Sequence, residues 1–84
     1  MSWIEAYVAG TPVPGDVFAL LTDLQEMQPG LYMVRRIVDG WATLCHVLDD
    51  EVTERLLVTD TEYHVPVAAL DLFMPIGIQL MAAG

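Results

Sequence analysis

The chain contains no lysine, and its only permanently cationic side chains are Arg35, Arg36 and Arg55. Twelve acidic residues bring the net charge of the 84-residue chain to −9. Proteins bind nucleic acids largely by neutralising phosphates with Lys and Arg, and basic segments bind anionic lipids in the same way. We therefore expect no direct binding to nucleic acid and none to a membrane surface.

Cysteine is scarce too, since Cys45 is the only one and no intrachain disulfide can form. The first five residues lack a basic residue and include an acid, unlike a signal peptide. The apolar stretch over residues 65–83 is interrupted by prolines and an aspartate, and it lacks the about 20 uninterrupted apolar residues of a spanning helix. These absences predict a cytoplasmic protein without a disulfide or a membrane span.

Motifs for catalysis are missing as well. Ser2 is the only serine, and there is no glycine-rich phosphate loop, Gly-x-Ser-x-Gly elbow or Cys-x-x-Cys pair. Cys45 and His46 are adjacent, but neighbouring residues of a strand point to opposite faces and do not readily share a ligand. A metal site formed by His46 and His64 with a nearby carboxylate is the remaining alternative. We expect no catalytic residue, no metal and no cofactor.

The length of the chain predicts one small domain with a thin core, because folding a chain of this size buries only about 60% of its surface. Yet 55% of its residues are hydrophobic. We divide the predicted domain into an N-terminal arm with a proline-rich loop, residues 1–16, and a barrel, residues 17–84. The apolar excess predicts contact with a protein partner or with further copies of the chain, as in a homo-oligomer.

Two segments near the N-terminus allow different interpretations. Ser2 and Glu5 fit a capping box for a short helix over residues 3–9, although an edge strand suits the same residues. Residues 17–28 show helical spacing of apolar side chains, but the unbroken apolar run at residues 17–21 suits a strand buried on both faces. For this second segment we favour the strand, followed by a loop.

A β-hairpin is the best-defined feature of the sequence. Residues 31–38 and 41–48 are rich in β-formers and flank Asp39-Gly40, which suits a two-residue turn because it tolerates positive φ. This turn places Val38 opposite Trp41. Both faces of the hairpin are largely apolar, so we expect the second face to be covered by the chain itself or by another subunit.

The same register, continued along the hairpin, places Tyr32 opposite Val47. Side chains alternate between the two faces of a strand, so Arg35 and Arg36 are expected on opposite faces. Each then pairs with a nearby acid such as Glu54 or Glu62. Arg36 is alternatively an anchor for a subunit contact, because arginine is enriched among the residues that dominate binding energy at interfaces.

The C-terminal half is predicted to contain two short strands at residues 55–59 and 62–65, a helical turn at 66–70 and a bent strand at 72–80. Between residues 49 and 62 lies a dense acidic run, which we expect to be a solvated loop because like charges repel and resist burial. The members of this acidic patch are Asp49, Asp50, Glu51, Glu54, Asp60 and Glu62.

The order of strand, long loop, hairpin, strand, short turn and closing strand resembles the SH3-like small barrel. Gly15-Asp16-Val17-Phe18, the Asp39-Gly40 hairpin and Val65-Pro66-Val67-Ala68-Ala69-Leu70 carry the resemblance. The last of these is similar to the end of the plasmid-encoded type II dihydrofolate reductases, SH3-like barrels that assemble as tetramers around a central pore. The resemblance implies a mainly β fold, a small SH3-like barrel of about five strands, with or without a short N-terminal helix.

The activity of that family is not implied. It has Val-Gln-Ile-Tyr immediately before the Pro-Val-Ala-Ala-Leu motif to bind cofactor and folate, whereas this chain has Glu62-Tyr63-His64-Val65. The family also uses lysines near its pore to attract two anionic ligands. A lysine-free chain at −9 would repel both.

Three functional hypotheses follow. The first is a non-enzymatic module that self-associates or binds a protein partner through Tyr32, Arg36, Trp41, Phe73, Met74, Ile76 and Ile78. The second is an acidic mimic of nucleic acid that inhibits a DNA-binding protein through the acidic patch. The third is an oligomeric pore enzyme of SH3-like type, with His46, Tyr63 or His64 in a pocket at a subunit axis.

Overall fold

The computed structural model describes residues 12–80, which form one antiparallel sheet in the order β4-β3-β2-β1-β5. A 3₁₀ helix, Val67–Leu72, connects β4 to β5. The predicted mainly β architecture with five strands is confirmed, whereas the predicted helix over residues 3–9 lies outside the described residues. The strands are β1 Asp16–Leu20, β2 Gly30–Val38, β3 Trp41–Asp50, β4 Arg55–Pro66 and β5 Met74–Gln79.

Among residues 12–80 the sheet has two free edges. β4 pairs with β3 alone and β5 with β1 alone, and within residues 12–80 no pairing joins β4 to β5. The sheet is therefore not closed into a barrel, and the resemblance to SH3-like barrels stays a prediction. A free edge exposes backbone donors and acceptors that another strand can pair with.

The strand interpretation of the second ambiguous segment, residues 17–28, is confirmed. All five residues of β1 are buried, and the strand lies between β2 and β5. A strand with neighbours on both sides and both faces covered needs no polar alternation, which explains the unbroken apolar run. Residues 21–29 follow as a loop, in which Leu24 and Met27 exchange two backbone hydrogen bonds of 3.0 and 2.8 Å around a tight turn.

The predicted hairpin register is confirmed only next to the turn, where Val38 lies opposite Trp41. A β-bulge at Arg35 then shifts the pairing by one residue, so Tyr32 lies opposite His46 and the predicted partner was wrong. The bulge lets apolar residues on both of its sides pack against the same core cluster. Predicting the register from the turn alone misses the bulge, because it assumes unbroken pairing and ignores which face of the sheet each side chain must occupy.

β4 is one continuous strand, where the sequence predicted two. A second bulge falls at residues 59–61, opposite His46, whose carbonyl accepts a 2.9 Å hydrogen bond from the Thr59 hydroxyl. That bond holds the irregular part of β4 against β3, so the pairing resumes at Glu62 and runs to Pro66.

The sequence predicted that the acidic patch forms a loop, and this prediction was wrong for most of its residues. Asp49 and Asp50 end β3, and Asp60 and Glu62 lie within β4, so only residues 51–54 form a turn. The Asp50 carboxylate closes this turn by accepting hydrogen bonds from the backbone N–H groups of residues 52 and 53 at 3.1 and 3.4 Å. Strand pairing provides hydrogen-bond partners for the backbone while the acidic side chains remain hydrated, so an acidic segment can form a strand and need not be a loop.

The core lies on both faces of the central strands. The larger cluster joins residues of β1 to β4 with Met27 of the loop, Leu70 of the 3₁₀ helix and Phe73. A smaller cluster contains Val17, Met33 and Val47, which alternate along their strands with residues of the larger one. The central part of the hairpin is thus buried on both faces, as its apolar sequence predicted, whereas Val38 and Trp41 next to the turn are exposed. Among residues 12–80 no helix is long and apolar enough to cross a bilayer.

Candidate interaction sites at the edges of the sheet

Two of the predicted interface residues belong to the core. Tyr32 is 1% exposed, and its ring centroid lies 5.3, 5.6 and 6.1 Å from those of His46, Tyr63 and Phe73. Its hydroxyl donates a 2.6 Å hydrogen bond to the carbonyl of Gln28. Burial, and then the neighbouring Tyr63, raise the pKa of Tyr32. Phe73 is also buried, so neither side chain is available to a partner in this fold.

The other predicted apolar residues of the C-terminal strand are exposed. Met74, Ile76 and Ile78 are 51%, 36% and 38% exposed, and β5 contains no charged residue. Pro75 and Gly77 interrupt the regular strand geometry of β5, and Gly77 has a φ of 82°. The pairing of β5 with β1 shifts register in this part of the strand. β5 therefore presents an uncharged apolar edge, which we call the β5 edge.

A second exposed apolar surface lies at the turn of the β2–β3 hairpin. Trp41 is 53% exposed, and Val38, its pairing partner in β2, is also exposed. On its other side Trp41 pairs with Pro66 of β4. The side chain of Arg36, at 52% exposure, lies on the same hairpin. Of the predicted interface residues on this hairpin, Trp41 and Arg36 are thus placed where a partner can reach them.

Arg35 and Arg36 converge on one acid instead of facing opposite ways, because the bulge breaks the alternation of β2. Arg35 Nη1 lies 2.7 Å from Glu62 Oε2, and Arg36 Nη2 lies 3.6 Å from Glu62 Oε1. The hydrogen bond from Arg35, aided by the charge of Arg36, lowers the pKa of Glu62, and the same bond raises the pKa of Arg35. Glu62 is therefore a paired acid and not part of a uniform acidic surface.

The remaining acids of the patch separate into a cluster and an isolated residue. Asp49, Asp50, Glu51 and Glu54 surround the β3–β4 turn, whereas Asp60 lies in the bulged part of β4. Hydrogen bonds, first from the Thr53 side chain and then from the turn backbone, lower the pKa of Asp50. A cation also lies near the cluster, because Arg55 is the backbone partner of Asp50 in the β3–β4 ladder.

A groove of about 410 Å³ lies along the free edge of β4. Glu62 to Val65 line one side of it, and Gln25, Glu26 and Met27 of the tight turn line the other. Tyr63 and His64 of the pore hypothesis border this groove, whereas His46 packs against the Tyr32 ring. The sequence did not predict a site at the turn residues, because Gln25 has a φ of 53° without the Gly or Asn that usually marks such a turn.

Possible metal ligands and the Cys45 thiol are the remaining reactive groups of the described residues. Within residues 12–80 no group of three or more His, Cys, Asp or Glu is placed to hold a metal. Cys45 is buried opposite Met33, and burial raises the pKa of its thiol, which lowers its reactivity. The described sites offer strand edges, apolar side chains and carboxylates to another molecule.

Comparisons with protein-family models, with curated proteins and with solved structures give no significant match. Inference about function therefore depends on the two sheet edges, the hairpin surface and the groove.

Proposed function

We propose that the protein is a non-enzymatic assembly module, in which two copies of the chain associate through the β5 edge. The observation that carries the proposal is that β5 lies at the end of the sheet, exposes Met74, Ile76 and Ile78, and is the only strand within residues 12–80 with no charged residue. Exposed apolar edges of this kind are templates for pairing with another chain.

Charge favours this edge over the rest of the surface. Two chains that each carry −9 repel one another, and the repulsion is least where the contact contains no carboxylate. A two-fold contact brings a residue on its axis near that residue's own counterpart, which suits a residue such as Ile76 and would penalise an acid such as Asp60. Pro75 and Gly77 distort the edge and limit regular pairing, so a closed pair is favoured over indefinite stacking.

Sedimentation equilibrium over a range of protein concentrations tests the proposal. We expect a dimer that Ile76→Lys converts to monomer, because the substitution places two like charges in the contact. Val52→Lys is the matched control: it makes the same change at a turn residue that is 93% exposed, and it should leave the assembly unchanged. Added salt should strengthen association by screening the net charge. A strict monomer at high concentration, or equal effects of the two lysines, would contradict the proposal.

A protein partner on the hairpin surface of Trp41 and Arg36 is the second form of the same function. Arginine and tryptophan are typical of the residues that dominate binding energy at interfaces. The acidic-mimic and pore-enzyme hypotheses stay predictions. The mimic has less support than the sequence suggested, because Arg35 and Arg36 pair with Glu62 and the other acids are divided between a turn and a strand.

A further inference from the structure

The free edge of β4 presents a short, defined set of backbone groups. The N–H of Val67 donates to the carbonyl of Gly40 at 2.9 Å, and hydrogen-bonded pairs alternate with non-bonded pairs along an antiparallel ladder. The unbroken register from Pro66 back to Glu62 therefore turns the backbone of Val65 toward β3 and that of Glu62 and His64 outward.

These outward groups form a site of limited length. No backbone hydrogen bond outside the ladder engages Glu62 or His64 within residues 12–80. Pro66 ends the site on one side because it has no N–H, and the bulge at residues 59–61 ends it on the other. Two donors and two acceptors remain, which is the pattern that one short extended segment pairs with.

The groove is what makes this edge more than an unpaired strand. Gln25 and Glu26 line the same groove as Glu62 and His64, so we expect a segment paired with β4 to contact this turn as well. The positive φ of Gln25 holds the turn in a backbone conformation that costs free energy for a residue other than glycine. Such strain is found at binding sites more often than elsewhere.

Charge favours a basic segment of a partner protein over a second copy of the chain as the occupant of the groove. Glu26 has no ion pair or side-chain hydrogen bond within residues 12–80, and Asp23 precedes it in a loop that contains no cation. A second copy of the chain would bring another Asp60 against the same strand, adding to the repulsion between chains of −9. A basic segment has the opposite charge and is attracted.

We infer that the groove binds an extended basic segment of a partner protein, which adds to the sheet as a sixth strand next to Glu62 and His64 and places a Lys or Arg side chain against Glu26. This site lies at the opposite end of the sheet from β5, so it does not depend on the proposed assembly.

The test uses a blocked hexapeptide of alternating lysine and valine as the probe. We expect the peptide to slow amide hydrogen exchange at Glu62 and His64. A control peptide with the same charge, N-methylated on alternate residues of its pairing edge, should not slow it, because it cannot donate hydrogen bonds to the strand. Absence of slowing at millimolar peptide, or equal slowing by the methylated peptide, would overturn the inference.

Two substitutions of one residue separate backbone from side chain. His64→Pro removes the outward N–H together with the imidazole, a change that edge strands tolerate, and should weaken peptide binding about tenfold through the lost hydrogen bond and the added ring. His64→Ala keeps the N–H and should stay within about twofold. If both variants fold and bind the peptide equally, the strand does not add at this edge.

A second pair of variants tests the charge contact. Glu26→Gln should weaken peptide binding about threefold, the effect of one partly exposed ion pair. Glu51→Gln removes the same charge from the β3–β4 turn and should have no effect beyond a small change in salt dependence. Equal losses would show attraction to net charge alone and overturn the site. Slower exchange at Glu62 and His64 on raising the protein concentration without peptide would identify a second copy as the occupant, and would also overturn it.

Discussion

Tyr32 and Trp41 are both aromatic residues of the β2–β3 hairpin, and replacing each with alanine should have very different effects on stability. Tyr32 is 1% exposed and packs against three other rings, whereas Trp41 is 53% exposed. Truncating a large buried aromatic side chain costs about 3–5 kcal/mol. Truncating a half-exposed one near a turn should cost about 1 kcal/mol or less.

A domain of this length is stable by about 4–13 kcal/mol in total, so Tyr32→Ala should remove much of the free energy of unfolding. Tyr32→Phe isolates the contribution of the hydroxyl, whose hydrogen bond to Gln28 should contribute about 1 kcal/mol. The expected order of destabilisation is therefore Tyr32→Ala, then Tyr32→Phe and Trp41→Ala together.

Urea unfolding followed by circular dichroism, at one fixed protein concentration, gives these free energies by linear extrapolation. The concentration must be fixed because association stabilises the folded state by mass action. The reasoning would be refuted if Tyr32→Ala cost less than about 1 kcal/mol, or if Trp41→Ala cost more than Tyr32→Ala.

Three further outcomes are expected. The pKa of Glu62 is lowered, mainly by its hydrogen bond from Arg35. The stability that ionised Glu62 contributes is therefore present above the ordinary glutamate pKa near 4.5 and is lost as the pH falls through the lowered pKa. In urea unfolding, the difference in free energy between wild type and Glu62→Gln should disappear over the same pH range. The Cys45 thiol should react with a thiol reagent only after unfolding, and rapid reaction of the native protein would contradict its burial. Gly15→Ala should destabilise the fold more than Gly40→Ala in thermal unfolding, since both have positive φ but only the new Cβ at Gly15 meets a backbone oxygen, at 2.7 Å; equal losses would show that φ alone matters.

Local chemistry made the turn of the hairpin predictable. Asp39 and Gly40 take φ values of 52° and 79°, as a two-residue turn requires, and the strands on either side follow from their β-forming residues. The strand β1 was predictable for a similar reason, because an unbroken apolar run bounded by a proline-rich segment fits a central strand better than an amphipathic helix.

The bulge at Arg35 was not predictable in the same way. Its ion pair joins Arg35 to Glu62, 27 residues further along the chain, and the faces that the bulge aligns are defined only once β3 and β4 are paired. The burial of Tyr32, which the sequence predicted at an interface, was unpredictable for a related reason. Its burial depends on Tyr63 and Phe73, which no local pattern places beside it.

The groove illustrates the same limit at the candidate site. One wall comes from residues 25–27 and the other from residues 62–65, so neither segment has a motif of its own. Gln25 adopts positive φ without the glycine or asparagine that would mark such a turn. The residues that form a site can be individually unremarkable when the site is made by bringing two segments together.

Amide hydrogen exchange of the two edge strands, measured at increasing protein concentration, tests the central claim that the edges have different partners. We predict that the exchangeable amides of β5 become slower to exchange as the concentration rises. Those of Glu62 and His64 should stay fast until the lysine–valine peptide is added. Exchange in β5 that does not depend on concentration, or equal slowing at both edges without peptide, would contradict the claim.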